Sequence, residues 1–180
     1  MQSIGPSCSF YTYQDFQCRE RERIDMPSHQ QPNRLHRFCK DVIAKNSSIR
    51  FAGIANQMGN LIEAAYREGL QPLMDRQETE HYTIQTVLRA SIRETFENKL
   101  GKQRYAIAVY EKLTRATVPF PMIGHHDDKG EKQKKQQKEE EDLKWFYLLV
   151  SFDLGSDVIS IVEDKILPLI EQFQKDSLVS

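Results

Sequence analysis

From residue 34 onward, apolar positions fall into blocks that switch between helical and strand spacing. Leu35, Phe38, Cys39, Val42 and Ile43 recur at the i, i+3, i+4 interval of one helix face. They predict a first helix that starts at Pro32 or Asn33 and ends at Asn46 to Ser48. Ile49 to Ala55 is short and rich in small and branched residues, and Leu61 to Tyr66 returns after Asn56-Gln57-Met58-Gly59-Asn60, so the pair reads as a β-hairpin. Gly69 and Pro72 break the pattern before a long helix over about 75–100. Its apolar stripe, Tyr82, Ile84, Val87, Leu88, Ile92, Phe96 and Leu100, is expected to cover one face of a sheet, and Gly101 closes the helix.

Tyr105 to Tyr110 alternates poorly, which suits a strand covered on both faces. The stretch 111–123 continues through Leu113, Ala116, Val118 and Phe120, where Pro119 and Pro121 confine it to an edge or to irregular extended structure. Trp145 to Phe152, dense in aromatic and branched residues, is the expected central strand. Ser156 or Asp157 then caps a last helix whose buried face is Val158, Ile161, Val162, Ile166, Leu169, Ile170 and Phe173, interrupted at Pro168. The order α, ββ, α, βββ, α defines an α/β (α+β) domain with a five-stranded, mainly antiparallel sheet, a long central helix and terminal helices.

Two segments stand outside this pattern. Residues 1–33 carry Pro6, Pro27 and Pro32 among Ser and Gln and read as a mobile polar leader, although Phe10, Tyr11, Tyr13 and Phe16 give it something to bury. Residues 124–142 hold no apolar side chain and read as a charged loop inserted into the single domain at 34–175. The chain has 180 residues and a net charge of −1, so it carries no global positive field toward nucleic acid or an anionic membrane. No apolar run approaches the ~18 residues of a membrane span. Cys8, Cys18 and Cys39 are odd in number and widely spaced, which fits reduced thiols in a cytoplasmic protein.

The succession from Ile49-Arg50-Phe51-Ala52-Gly53-Ile54-Ala55, through the helix at 75–100, to Leu148-Leu149-Val150-Ser151-Phe152 and a closing helix after Leu154-Gly155 resembles the roadblock/LC7 family of the longin and profilin-like architecture. The likeness spans roughly residues 34–175, and the chain is similar as well to an archaeal family whose label implies no mechanism. What the resemblance implies is a non-enzymatic interaction module. It would be a dimer, a homodimer first and a heterodimer as the alternative, that uses a sheet edge and the central helix, and that regulates or tethers another protein such as a small GTPase in signalling. The matching interface positions are Arg104, Tyr105, Ile107, Val109 and Tyr110 on the strand, and Arg89, Arg93 and Glu97 on the helix. Independently of any family, an unpaired apolar edge strand is an aggregation hazard that pairing removes.

No constellation earns a catalytic role. There is no Gly-x-Ser-x-Gly elbow, no cysteine with an activating neighbour and no Gly-rich phosphate cradle. His125-His126-Asp127-Asp128 holds metal-ligand side-chain types, but consecutive loop residues do not preorganise a coordination shell; these four are the nearest metal candidates and no cofactor is assigned. Cys8, Cys18, His36 and Cys39 lack a close cysteine pair, and His81 has no evident partner. The lysines from 129 to 138 are followed at once by Glu139 to Asp142, which argues for solvation over nucleic-acid contact. The alternative function is a small-molecule sensor with a pocket between sheet and helices, for which Tyr66, Tyr105, Tyr110 and Tyr147 are the polar candidates.

Overall fold

The computed structural model describes residues 31–123 and 143–178; Cys8 and Cys18 and the 124–142 segment with His125, His126, Asp127 and Asp128 lie outside the described residues. Helix α1 (Gln31–Ala44) precedes the hairpin of β1 (Ile49–Asn56) and β2 (Leu61–Tyr66). Helix α2 (Arg76–Glu94), the single turn α3 (Glu97–Leu100), and strands β3 (Ala106–Val109), β4 (Thr114–Ile123) and β5 (Leu143–Phe152) follow. The chain closes with α4 (Val158–Ile161), a π-helical stretch (Val162–Ile166) and α5 (Leu167–Leu178). The order of elements matches the sequence reading, but the central helix is shorter than 75–100. It stops at Glu94, and α3 follows only after a break at Thr95 and Phe96.

The strands form one sheet in the order β2-β1-β5-β4-β3, antiparallel at every pairing. β5 is central, as its composition predicts, and its alternate residues feed two layers. Leu148, Val150 and Phe152, with Ala116, Val118 and Phe120 of β4, meet α1 and the closing helices in the larger core, where Phe38 lies 4.3 Å from Phe173, ring to ring. Tyr147 and Leu149 join Phe51 and Ala55 beneath Val87 and Ala90 of α2 in a thinner second core. The result is a sheet sandwiched between α2 on one face and α1 with α4–α5 on the other.

Local chemistry explains the joints. Gly59 takes φ +80° in the β1–β2 turn, and a Cβ there would sit 2.5 Å from the Cα of Ile84, so the turn packs against the backbone of α2. Pro168 does not merely kink the last helix. The π-helical stretch ends just before it, with the Leu167 amide donating to the carbonyl of Val162, which absorbs the proline's missing N–H upstream. Pro119 and Pro121 sit in β4, an interior strand, but β3 pairs with β4 only as far as Thr117, so both prolines lie on a stretch whose other side has no strand partner.

Two expectations are corrected. β3 is not covered on both faces: it is an edge strand, and Val109 is 75% exposed. Nor is the stripe on α2 the buried face. Of Tyr82, Ile84, Val87, Leu88, Ile92, Phe96 and Leu100, Val87 alone is buried, and the residues turned to the sheet are Thr79, Thr83, Thr86, Val87 and Ala90.

Candidate interaction surface

α2 begins with a capping box: Asp75 accepts from the Glu78 amide at 2.8 Å, and Glu78 accepts from the Asp75 amide at 2.9 Å. The D-x-x-E spacing is legible in the sequence and fixes the first turn. The inward face is then built from small side chains. The hydroxyls of Thr79, Thr83 and Thr86 each donate to the carbonyl four residues back, so they need no partner in the sheet. At 100° per residue, Ile84, Leu88 and Ile92 form one row on the opposite side. That row stays in solvent: Leu88 and Ile92 are both 58% exposed, and Phe96 and Leu100 extend the apolar surface beyond the break.

The edge at β3 has the same character. Its four residues, Ala106 to Val109, pair with β4 on one side only. The strand has no lysine, proline or inward charge, the features that usually blunt an edge. Helix and edge are tied together where the Tyr82 hydroxyl meets the Tyr110 hydroxyl at 2.9 Å. That hydrogen bond, followed by burial, raises the Tyr110 pKa above its ordinary value.

The residues expected at the interface separate into groups. Val109, Tyr110, Arg89 and Arg93 are exposed, Arg89 donating to Gln85 on its own helix. Ile107 is half-buried against the larger core. Arg104 and Tyr105 are both committed to Glu163 at the closing helices, at 2.9 and 2.8 Å. The Tyr105 hydrogen bond and the Arg104 guanidinium hold the Glu163 carboxyl below its usual range. Glu97, the first residue of α3, is half-buried beside Trp145. The apolar row of α2 was missed as a surface because its spacing is that of a core stripe.

The four tyrosines proposed for a pocket do not converge. Tyr66 lines a cleft under the N-terminal half of α2, Tyr105 bonds to Glu163, Tyr110 to Tyr82, and Tyr147 donates to Glu94 at 2.9 Å. Burial and that bond raise the Tyr147 pKa. Among the described residues there is no group of three or more histidine, cysteine or acidic side chains placed to hold a metal. His36 pairs with Glu63 at 3.1 Å, and His81 contacts Gln85 at 3.2 Å. Cys39 is fully enclosed in the larger core; burial, with Glu63 nearby, pushes its thiol up to about 12, so it is an inert filler. No described helix is long and apolar enough to cross a membrane.

This architecture, an antiparallel five-stranded sheet with one long helix on one face and terminal helices on the other, is a roadblock/LC7-like fold. Solved structures of that kind superpose along most of their length. The gliding protein MglB of Thermus thermophilus matches with a TM-score of 0.57 at 8% identity, over 86% of this chain and 98% of that one. MglB in a tetrameric arrangement matches with a TM-score of 0.59 at 10% identity, over 87% and 96%. A roadblock/LC7 domain from Streptomyces avermitilis matches with a TM-score of 0.52 at 9% identity, over 81% and 98%. No protein-family model and no curated protein matches the chain by sequence.

Proposed function

We propose that the chain is a non-enzymatic protein-interaction module that self-associates through the outer face of α2 and the free edge of β3. The observation that carries this reading is the inverted helix: the bulky apolar side chains of α2 face solvent while its threonines face the sheet. Water-exposed Ile84, Leu88, Ile92 and Phe96 form a contiguous apolar row of the kind that marks a protein interface. A second copy is the occupant that satisfies both features at once. A two-fold axis beside β3 pairs its edge with the same edge of the mate and sets one apolar row against the other, an isologous contact. A tetrameric arrangement in one structure with this fold supports self-association as such. The dimer would regulate or tether another protein in the cytoplasm, and a small GTPase is the partner class that the roadblock/LC7 resemblance puts first.

Sedimentation velocity on the full chain tests the reading. A reversible dimer at micromolar concentration supports it; a strict monomer across the accessible range refutes it.

A further inference from the structure

A second feature lies on the α2 face at the other side of Tyr82. The N-terminal half of α2, the connection after β2 and the ends of β1 and β5 enclose a cleft of about 30 Å³, lined by Arg50, Phe51, Thr79, Leu113, Arg115 and Ser151. It continues inward into a space of about 10 Å³ bounded again by Phe51, Thr79, Arg115 and Ser151. An oxygen-sized group needs about 10–15 Å³, so the mouth has room for two or three.

The lining is chemically one-sided. Arg34, Arg50, Arg67 and Arg115 are the half-buried arginines among the described residues, and the first three all donate to an acceptor. The Arg115 guanidinium lies 4.0 Å over the Tyr82 ring and makes no hydrogen bond or ion pair to any described residue. Ser151 lines the same cleft, and its hydroxyl makes no hydrogen bond to a described residue. Both donors reach the open cleft and are free to donate to a group that enters it; the buried side-chain oxygen left without a partner among the described residues is Ser48 Oγ, elsewhere in the fold. No carboxylate lines the cleft, and its outer rim is apolar, with Leu70, Pro72, Leu73 and Met74.

We propose that this cleft binds a small monocarboxylate with an apolar tail, its oxygens held between the Arg115 guanidinium and the Ser151 hydroxyl and its tail laid along the Leu70 to Met74 rim. One negative charge is the match, because Arg50 is already engaged by Asp153 at 2.8 Å and only Arg115 is uncommitted. Stacking on Tyr82 holds the guanidinium plane in place, so little side-chain freedom is lost on binding. The site borders the self-association surface, since Arg115 is the cross-strand partner of Ala108 and lies over Tyr82, but its lining comes from one chain and does not depend on that surface being covered.

Titration of the full chain with hexanoate, acetate, hexanol and inorganic phosphate, followed by amide chemical shifts, tests the proposal. Expected are saturable shifts at residues 79, 115 and 151 with hexanoate, weaker binding of acetate, and no saturation with hexanol or phosphate. Arg115→Gln should weaken hexanoate about tenfold or more, as loss of a charge-assisted hydrogen bond does, with Arg115→Lys intermediate. Ser151→Ala, which removes one oxygen from a site with space around it, should weaken binding several-fold and serves if the arginine variant does not fold. Absence of saturable hexanoate shifts, equal binding of hexanol or tighter binding of phosphate overturns the proposal, as does undiminished affinity in both Arg115→Gln and Ser151→Ala.

Discussion

Leu88→Asp separates the proposed interface from the fold. Leu88 lies at the middle of the outer row of α2 and keeps 58% of its surface exposed in the isolated chain. Burying a whole leucine side chain contributes about 1.5–3 kcal/mol, so covering the exposed remainder is worth roughly 1–1.5 kcal/mol per protomer. Two-fold symmetry doubles this to about 2–3 kcal/mol. Aspartate forfeits that gain and leaves two carboxylates in a seam that excludes water, an added desolvation cost. The dimer should therefore weaken by at least about 3 kcal/mol, or more than about a hundredfold in Kd. The monomer should lose only about 1–2 kcal/mol, roughly 0.5–1.5 from the part of the side chain already covered and about 0.5 from helix propensity. Sedimentation velocity over a dilution series reads the first effect, and urea unfolding below the dissociation range reads the second. An unchanged Kd refutes the interface. A monomer destabilised by several kcal/mol refutes the inverted helix itself, because it would place Leu88 in the core.

Other consequences follow from particular contacts. Gly59→Ala should destabilise more than Gly155→Ala, compared by urea midpoint: both have positive φ, costing about 1–2 kcal/mol, but only the Cβ at position 59 meets backbone, 2.5 Å from Ile84 Cα, whereas Gly155 has nothing within 4 Å. Thr83→Leu should cost about 1–3 kcal/mol in thermal unfolding, because Thr83 is 1% exposed under α2 and a larger side chain would lift the helix from the sheet. Hydrogen bonds from Arg67 and Arg50 hold the Asp153 carboxyl below its ordinary value. The associated stability is complete above the unfolded-state pKa of about 3.9 and is lost as pH falls through the lower folded-state value. Asp153→Asn should flatten the stability profile in that acid window and lower stability at neutral pH by roughly 0.5–1 kcal/mol, the group being partly exposed and screened.

Most of the fold was legible because its signals are local. The density of aromatic and branched residues from Trp145 to Phe152, the i, i+3, i+4 set on α1, and the Gly and Asn residues of the turn at Gly59 each report one element from its own residues. The π-helical stretch before Pro168 was not legible in kind. A proline says that a hydrogen bond is lost, but whether the helix kinks or takes up an extra residue depends on the register its buried side chains need on either side. The cleft at Arg115 was illegible for a different reason. Its cation, hydroxyl and apolar rim come from residues 50, 70 to 74, 115 and 151, which no spacing rule connects.

The inversion of α2 shows where pattern reading stops. An apolar stripe establishes that a helix face must leave water; nothing in its period says whether the covering surface belongs to the same chain. Two clues in the residue types could have decided it. The first is size: the threonine and alanine positions at 79, 83, 86 and 90 recur on their own face, and the three hydroxyls are satisfied inside the helix, so that face can be covered by a sheet without orphaned donors. The second is what lies opposite. The sheet presents Phe51, Tyr147 and Leu149 to α2, side chains large enough to fill the layer against small partners, whereas adding Ile84, Leu88, Ile92 and Phe96 to the same layer would overfill it. Complementary volume thus turns the small face inward and strands the large one outside, which is why the bulky row of this helix is the surface proposed here for a second copy.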